Sequence, residues 1–189
     1  MSQATCLDGL VAELDILIRA RYGLISVSTF EEMRFRRLMN AVAHLPRHKS
    51  KGLFTWSRVT GLHQVSGTEP LLNPRPIPDT EDPFSVLDYI GGADSGLFVL
   101  SDFGPYLAPF GQPEPQLVRR LRELAWAIKT RPVTVLFVDP DFPDIPALEK
   151  ALAEATLASS CSSGVLEISP SASWISWLTP RWIAGISIG

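Results

Sequence analysis

The chain contains 189 residues, the size of one compact domain or of one domain with a tail. Hydrophobic residues make up 46% and charged residues 20%, which excludes wholesale disorder, and a net charge of −3 gives no general attraction to nucleic acid or an anionic membrane. Cys6 and Cys161 lack metal-ligand spacing, which indicates a reducing compartment. Residues 1–15 lack a signal-peptide pattern and residues 174–189 are too interrupted to span a bilayer, so we expect a soluble cytoplasmic protein.

The first elements alternate between helical and strand patterns. Apolar residues at helical spacing predict a helix over residues 7–18, and an apolar run predicts a short strand over residues 24–28. Thr29 and Glu32 match a capping box at the start of a second helix. We expect that helix to direct Met33 toward the core.

A basic loop at residues 46–51 separates this helix from the next strand. Residues 52–57 predict a strand, and residues 59–65 predict an antiparallel arm beside it. Five prolines between residues 68 and 83 predict an extended surface loop, because proline lacks the N–H that strand pairing needs.

The second half of the chain carries the clearest strands. Asp82 or Ser85 is expected to cap a short helix, and residues 96–103 and 133–138 are apolar runs typical of buried strands. Residues 146–156 predict a further helix. The helix between the two strands presents an apolar face formed by Leu117, Leu121, Leu124, Ala125 and Ile128.

Strands separated by helices in this rhythm predict an α/β fold of three layers, with a mostly parallel sheet covered by helices on both faces. We assign residues 1–156 to this domain. Residues 157–189 form a serine- and tryptophan-rich tail of uncertain structure. The tail is either a small terminal hairpin or the product of a frameshift or a truncated reading frame.

The order of elements is that of a nucleotide-binding domain, but a phosphate-binding loop is missing. No Gly-Lys dipeptide occurs in the chain, so the Walker A motif is absent. Glu31 and Glu32 stand after the first strand, where that loop is expected, and two carboxylates there repel a polyphosphate.

Two aspartates follow the two clearest strands. Asp102 and Asp139 stand at carboxyl-terminal strand ends, where ligands of open α/β sheets bind, and they are the weak candidates for cofactor binding. An aspartate at this position holds Mg²⁺ in many ATPases, whereas an aspartate before Phe103-Gly104-Pro105 also simply caps a turn. If their strands are neighbours, the two carboxylates lie near one another.

Other patterns give weaker signals. A phospho-acceptor receiver domain is disfavoured because Asp139 stands where a hydroxyl residue is required. His44, His48 and His63 share no metal-ligand spacing and are expected in loops or on the surface. Trp56 and Trp126 are expected in the core. One helix has a basic face, which is best explained as a solvated surface. This face is formed by Arg119, Arg120, Arg122, Lys129 and Arg131.

The order of several segments resembles a known family, the Ycf-type AAA ATPases of cyanobacteria and red-algal plastids. The matching segments are LDILIRARY (residues 14–22), LISVSTFEE (24–32), FTWS (54–57), LFVLSDF (97–103) and VRRLREL (118–124). The resemblance implies an N-terminal, degenerate RecA-like domain that lacks the Walker A loop and that precedes a separate AAA module with the working ATP site. It ends near Lys150, so no ATP-site residue or arginine finger is carried over.

We therefore expect a non-catalytic regulatory or protein-interaction module of an AAA-type ATPase, without a catalytic residue, cofactor or metal of its own. Its expected partner is an AAA module, a client protein or a second copy of the chain, and nucleic acid and membranes are not expected partners. One alternative is an atypical phosphoryl-transfer domain that uses Asp102 and Asp139 for Mg²⁺. Another is a free-standing interaction protein.

Overall fold

The structure, a computed structural model, describes residues 3–65, 74–148, 151–157 and 166–169. The α-helices are α1 (Gln3–Arg19), α2 (Glu32–Ala43), α3 (Pro83–Gly92), α4 (Gly104–Leu107) and α5 (Pro115–Ile128), and a 3₁₀ turn covers Pro109–Gly111. The strands are β1 (Leu24–Ser28), β2 (Leu53–Ser57), β3 (Gly61–Val65), β4 (Arg75–Ile77), β5 (Gly96–Ser101), β6 (Val133–Asp139), β7 (Leu152–Leu157) and β8 (Leu166–Ser169).

The described strands form one sheet in the order β4-β3-β2-β5-β6-β1-β7-β8. The five strands from β2 to β7 in this order are parallel, whereas β3 and β4 extend one side of the sheet and β8 the other by antiparallel pairing. The parallel strands place their carboxyl ends at one edge of the sheet, which we call the carboxyl edge, and their starts at the opposite, amino edge.

Two separate cores cover the two faces of the sheet. Along β6, Val133, Val135 and Phe137 belong to the core under α3 and α5, whereas Leu136 and Val138 belong to the core under α1 and α2. Successive strand residues point to opposite faces, so a strand with apolar residues at every position must be covered on both. The predicted three-layer, mostly parallel α/β fold is confirmed.

Two expectations about helix starts have different outcomes. Asp82 caps α3, since its Oδ2 accepts the N–H groups of Phe84 at 2.8 Å and Ser85 at 3.3 Å, as predicted. The capping box at Thr29 and Glu32 is wrong, because α2 begins at Glu32 and no side chain caps it. The predicted inward position of Met33 is also wrong, because its side chain is 45% exposed.

The predicted helix over residues 146–156 is wrong, because the chain there forms β7. This strand pairs in parallel with β1 from Leu24 opposite Leu152 to Ser28 opposite Thr156. Alanine, leucine and glutamate favour a helix locally, but β1 has a second edge whose backbone groups need partners. Tertiary pairing therefore overrides local propensity at β7.

The antiparallel arm after β2 is confirmed as β3. Part of the predicted proline-rich loop forms the short strand β4, and residues 66–73 of that loop lie outside the described residues. In the predicted tail, β8 pairs with β7, while residues 158–165 and 170–189 lie outside the described residues. The domain boundary at residue 157 stays a prediction.

Of the two tryptophans expected in the core, Trp56 is 1% exposed and donates its Nε1–H to the Thr80 carbonyl oxygen at 2.6 Å, as predicted. Trp126 is 61% exposed, so its assignment to the core is wrong. It lies on the solvent face of α5, where the guanidinium groups of Arg119 and Arg122 are 5.7 and 5.9 Å from its ring centre.

Within the described part of the chain, no helix has the length and apolar character needed to cross a membrane.

Replacing a core phenylalanine tests this arrangement. Phe98 of β5 is fully buried and stacks on Phe54 with ring centres 4.6 Å apart, so Phe98→Ala is expected to lower the free energy of unfolding by about 3–5 kcal/mol. Phe30→Ala is the matched control, since Phe30 is 82% exposed and its truncation is expected to change stability by less than about 0.5 kcal/mol. Urea denaturation followed by circular dichroism measures both, and equal losses would contradict the packing.

Candidate functional site

The carboxyl edge collects the ends of three adjacent parallel strands. Ser28 at the end of β1 pairs with Asp139 at the end of β6, and Ser101 at the end of β5 pairs with Val138. The Thr29 N–H donates to the Asp139 carbonyl oxygen at 3.0 Å. This edge is where open α/β sheets bind their ligands, so it is the first candidate for a functional site.

Asp139 lies inside the protein at this edge, with 1% of its surface exposed. Its Oδ1 accepts the N–H of Gly104 at 3.0 Å, and its Oδ2 has no hydrogen-bond partner among the described residues. Burial raises the pKa of Asp139 to about 6, the nearby Asp102 carboxylate raises it further, and the N–H groups of Gly104 and Phe103 oppose the rise. Asp139 therefore holds the chain that follows β5 rather than facing solvent.

Glycine at position 104 permits this close approach. A Cβ atom added there would lie 2.8 Å from Pro143 Cδ and 3.2 Å from Asp139 Oδ1. A side chain at this position would push the start of α4 away from the carboxyl group that binds it. The Asp139–Gly104 contact thus depends on both residues.

Asp102 occupies the opposite environment. Its side chain is exposed, and its backbone has a φ of 53°, in the left-handed region that aspartate tolerates better than most residues. Its N–H donates to the Val138 carbonyl oxygen at 3.1 Å, which places it beside the end of β6. Asp102 thus forms the turn after β5 and leaves its carboxylate in solvent.

The structure places Asp102 and Asp139 on neighbouring strands, as the sequence predicts for adjacent β5 and β6, but in unlike surroundings. A Mg²⁺ ion needs several oxygen ligands around an accessible point, and Asp139 is enclosed. The described residues contain no group of three or more His, Cys, Asp or Glu side chains placed to hold a metal ion. A cofactor role for either aspartate stays a prediction.

The connection from β1 to α2 has only three residues, Thr29, Phe30 and Glu31, and contains no glycine. Glu31 forms an ion pair with Arg34 at 2.7 Å. Glu32, at the first turn of α2, accepts the Ser101 hydroxyl at 2.5 Å and pairs with Arg36 at 2.9 Å. Carboxylates of the chain itself therefore stand at the positive end of α2, where anionic ligands otherwise bind.

Large apolar side chains surround this acidic edge. Phe30 is 82% exposed, Met33 45%, Val59 89%, and Phe110 is fully exposed. They follow the ends of β1, β2 and β5, so we call them the carboxyl-edge surface. Sequence reasoning missed this surface, although Phe30 between Thr29 and Glu31 interrupts a polar segment and gives a local signal.

His48 lies in a loop, which is one of the two positions predicted for it, and its side chain is buried. Its Nε2 is 2.8 Å from Asp15 Oδ1, and Arg47 pairs with Asp15 Oδ2 at 2.9 Å. Sequence reasoning missed Asp15, because a carboxylate on a helix face usually lies in solvent and its partners here are 32 and 33 residues away.

The fold and its carboxyl edge define a three-layer α/β domain in which no phosphate loop follows β1. The chain belongs to the SpoVK-like AAA ATPase N-terminal domain family, whose model matches residues 10–156. This confirms the family resemblance of the sequence.

A relative in Trieres chinensis, named "Uncharacterized AAA domain-containing protein ycf46", is 24% identical over 130 residues. The match covers 69% of this chain but 24% of the relative, so the chain spans about a quarter of that protein's length. No solved structure matches the chain.

The raised pKa of Asp139 predicts how stability changes with pH. Its pKa rises from an ordinary 3.8 to about 6, so between these values the folded state binds more protons than the unfolded state and stability falls as pH rises. Asp139→Asn keeps an acceptor for the Gly104 N–H but cannot ionise. We expect the variant to equal the wild type near the lower pKa and to be more stable above pH 6 by about 3 kcal/mol.

Chemical denaturation at a series of pH values measures this difference. The matched control is Asp102→Asn, since residue 102 is exposed and asparagine also tolerates its left-handed backbone. We expect the control to keep most of the pH dependence of the wild type, because the burial that mainly raises the pKa of Asp139 is unchanged, while loss of the Asp102 carboxylate lowers that pKa somewhat. An unchanged stability difference between Asp139→Asn and wild type across the whole range would contradict a buried, neutral Asp139.

Proposed function

We propose that this domain is a non-catalytic regulatory module of an AAA-type ATPase, and that it acts by docking onto the AAA module through the carboxyl-edge surface. The observation that carries this proposal is the position of Glu32. Its carboxylate occupies the start of α2 through contacts with Ser101 and Arg36.

Electrostatics supports the absence of catalysis. A triphosphate bound after β1 would lie beside Glu31, Glu32 and Asp102. The nearby cations Arg34 and Arg36 already form ion pairs with Glu31 and Glu32. The Walker A arrangement instead supplies a series of backbone N–H groups and one lysine. This domain would have to lose the Glu32 contacts before it could bind a polyphosphate in that position.

The exposed apolar residues support a protein partner. β1 and β2 lie three strand spacings apart, about 14 Å, and the connections that carry Phe30 and Val59 leave them at the same edge of the sheet. Aromatic side chains such as Phe30 and Phe110 are the usual anchors of protein interfaces. The surrounding carboxylates of Glu31, Glu32 and Asp102 favour a partner surface with basic residues.

Membership of an AAA ATPase family favours an AAA module as this partner. The matched relative is named as an AAA domain-containing protein, and the match covers only 24% of its length. An N-terminal domain without a phosphate loop contributes to such an enzyme by contact. Binding at the carboxyl edge would place that contact beside the strand ends.

One observation favours a second function, Mg²⁺-dependent phosphoryl transfer. Asp139 is buried with a raised pKa, and the exposed Asp102 lies on the neighbouring strand, a combination found at many catalytic sites. In this alternative Asp102 would contact the metal ion, and Asp139 would hold the turn that carries it.

Nucleotide titration separates the two functions. We expect the chain to show no ATP turnover above background and no ATP–Mg²⁺ binding heat that Asp102→Ala removes, because the carboxylates at the start of α2 repel phosphates at the carboxyl edge. Calorimetry and a phosphate-release assay measure these quantities. Mg²⁺-dependent turnover that disappears in Asp102→Ala would establish the second function and overturn the first.

A paired substitution tests the docking surface. Phe30→Ser combined with Phe110→Asn removes both aromatic anchors, and asparagine suits the φ of 56° at residue 110. We expect its affinity for the AAA module of a SpoVK-like ATPase to fall at least about tenfold, the effect of losing interface anchors.

Trp126→Ser is the matched control, since Trp126 is an exposed aromatic residue on α5, away from the carboxyl-edge surface. Its affinity for the AAA module is expected to equal that of the wild type. Equal losses in the control and the paired variant, or no loss in either, would show that docking does not use this surface.

A further inference from the structure

A basic pocket lies at the amino edge of the sheet, opposite the carboxyl-edge surface. Its volume is about 230 Å³, and its basic lining consists of Arg19, Arg21, Arg47, His48, Lys51 and Arg131. These residues come from the end of α1, the turn before β1, the loop between α2 and β2, and the connection from α5 to β6. Ile18 and Ile128 form an apolar wall.

The positive charge of the pocket exceeds its negative charge. Five arginine and lysine side chains line it, and the carboxylate that contacts them is Asp15. Asp15 pairs with Arg47 at 2.9 Å and lies 3.9 Å from Arg19. Among the residues that the structure describes, no carboxylate lies within the 4.0 Å ion-pair distance of Arg21 or Lys51.

Hydrogen bonds to backbone carbonyls and to one carboxylate hold Arg131, Arg47 and His48 in place. The guanidinium of Arg131 donates to the carbonyl oxygens of Ala93 at 2.7 Å, Gly91 at 2.8 Å and Ala127 at 3.0 Å, so it keeps its full positive charge. At the other side, Asp15 is 5% exposed and holds both Arg47 and His48. The pocket is therefore organised before any ligand arrives, which lowers the entropy cost of binding.

His48 has an unused nitrogen in this pocket. The imidazole is 2% exposed, and its Nε2 is 2.8 Å from Asp15 Oδ1, where the carboxylate can only accept and Nε2 must donate. Nδ1 is buried and has no hydrogen-bond partner among the described residues. A buried polar atom without a partner is costly, and a bound ligand would supply one.

We infer that this pocket binds a phosphate group, carried by inorganic phosphate or by a small phosphate monoester. Arginine forks and a lysine ammonium together match the oxygens of a dianionic phosphate. Among the described residues, no phenylalanine, tyrosine or tryptophan lines the pocket. Its volume suits one phosphate group with a short substituent.

The same geometry couples phosphate binding to protonation of His48. Burial lowers the pKa of His48, and the positive charges of Lys51 and Arg47 lower it further against the opposing contact with Asp15. Arg19 of α1 and Arg131 before β6 add positive charge from the neighbouring elements. An anion among these cations stabilises the imidazolium form of His48, so the ligand binds more tightly as pH falls.

Calorimetric titration of the full chain with inorganic phosphate and with glycerol phosphate tests the pocket. We expect millimolar or tighter binding of at least one compound, and the tighter of the two identifies the source of the group. Lys51→Gln and Arg21→Asn each remove one charge, and we expect either to weaken binding about tenfold. Asparagine suits the φ of 60° at residue 21.

Lys49→Gln is the matched control, because Lys49 is an exposed lysine of the same loop that does not line the pocket. Its affinity should equal that of the wild type. Thermal unfolding confirms that each variant is folded, and Lys51→Gln alone decides the test if Arg21→Asn does not fold. Absence of binding at millimolar concentration, or equal affinity in Lys51→Gln and Lys49→Gln, overturns the inference.

Sulfate tests the coupling to His48, because it is a dianion that does not titrate near neutral pH. We expect sulfate affinity to rise several-fold from about pH 8 to about pH 6 in the wild type. His48→Gln keeps a donor to Asp15 but lacks Nδ1, and its affinity should not follow pH in this way. An equal pH dependence in wild type and His48→Gln overturns the role of His48.

Discussion

The two-sided burial of β6 is the constraint on which the rest of the structure depends. All seven residues of this strand are buried, with β5 on one edge and β1 on the other. Because its faces and edges are all covered, the positions of its two ends are determined. At the end of β6, backbone carbonyl oxygens accept the N–H groups of Thr29 and Asp102. Just before the start of β6, the carbonyl oxygen of Pro132 accepts the N–H of Gly96. Both edges of the sheet are thus built on one strand.

The two edges of the sheet differ in charge because different side chains form the contacts at each edge. At the carboxyl edge, Asp139 turns inward to Gly104, and the carboxylates of Asp102, Glu31 and Glu32 remain in or near solvent. At the amino edge, one buried carboxylate, Asp15, gathers several cations. At the carboxyl edge Glu31 and Glu32 are paired with Arg34 and Arg36, whereas cations at the amino edge outnumber the one carboxylate that contacts them. A net charge of −3 therefore conceals a concentration of positive charge at the amino edge.

Much of the fold could be predicted because its central strands are continuous apolar runs and α5 has a clear apolar stripe. Such patterns reflect burial directly, and burial decides the structure. The errors arise where a partner distant in sequence decides. β7 is a strand because β1 needs a second neighbour, and Met33 is exposed because α2 turns Phe35, Leu38 and Met39 inward. Neither fact is encoded within a short window of sequence.

The candidate sites were predictable only in part, for the same reason. Asp102 and Asp139 were identified because the ends of strands are visible in the sequence. Their opposite burial was not, because Asp139 is enclosed where it binds the Gly104 N–H, whereas Asp102 forms an exposed turn. The basic pocket left a trace in the loop at residues 46–51, yet Asp15 and Arg131 belong to distant segments. The sequence of this basic loop predicts a solvated surface, because the buried Asp15 carboxylate that holds it lies on a distant helix. Charge patterns along a sequence therefore indicate whether a surface is positive or negative. Whether those charges gather in one pocket depends on the fold.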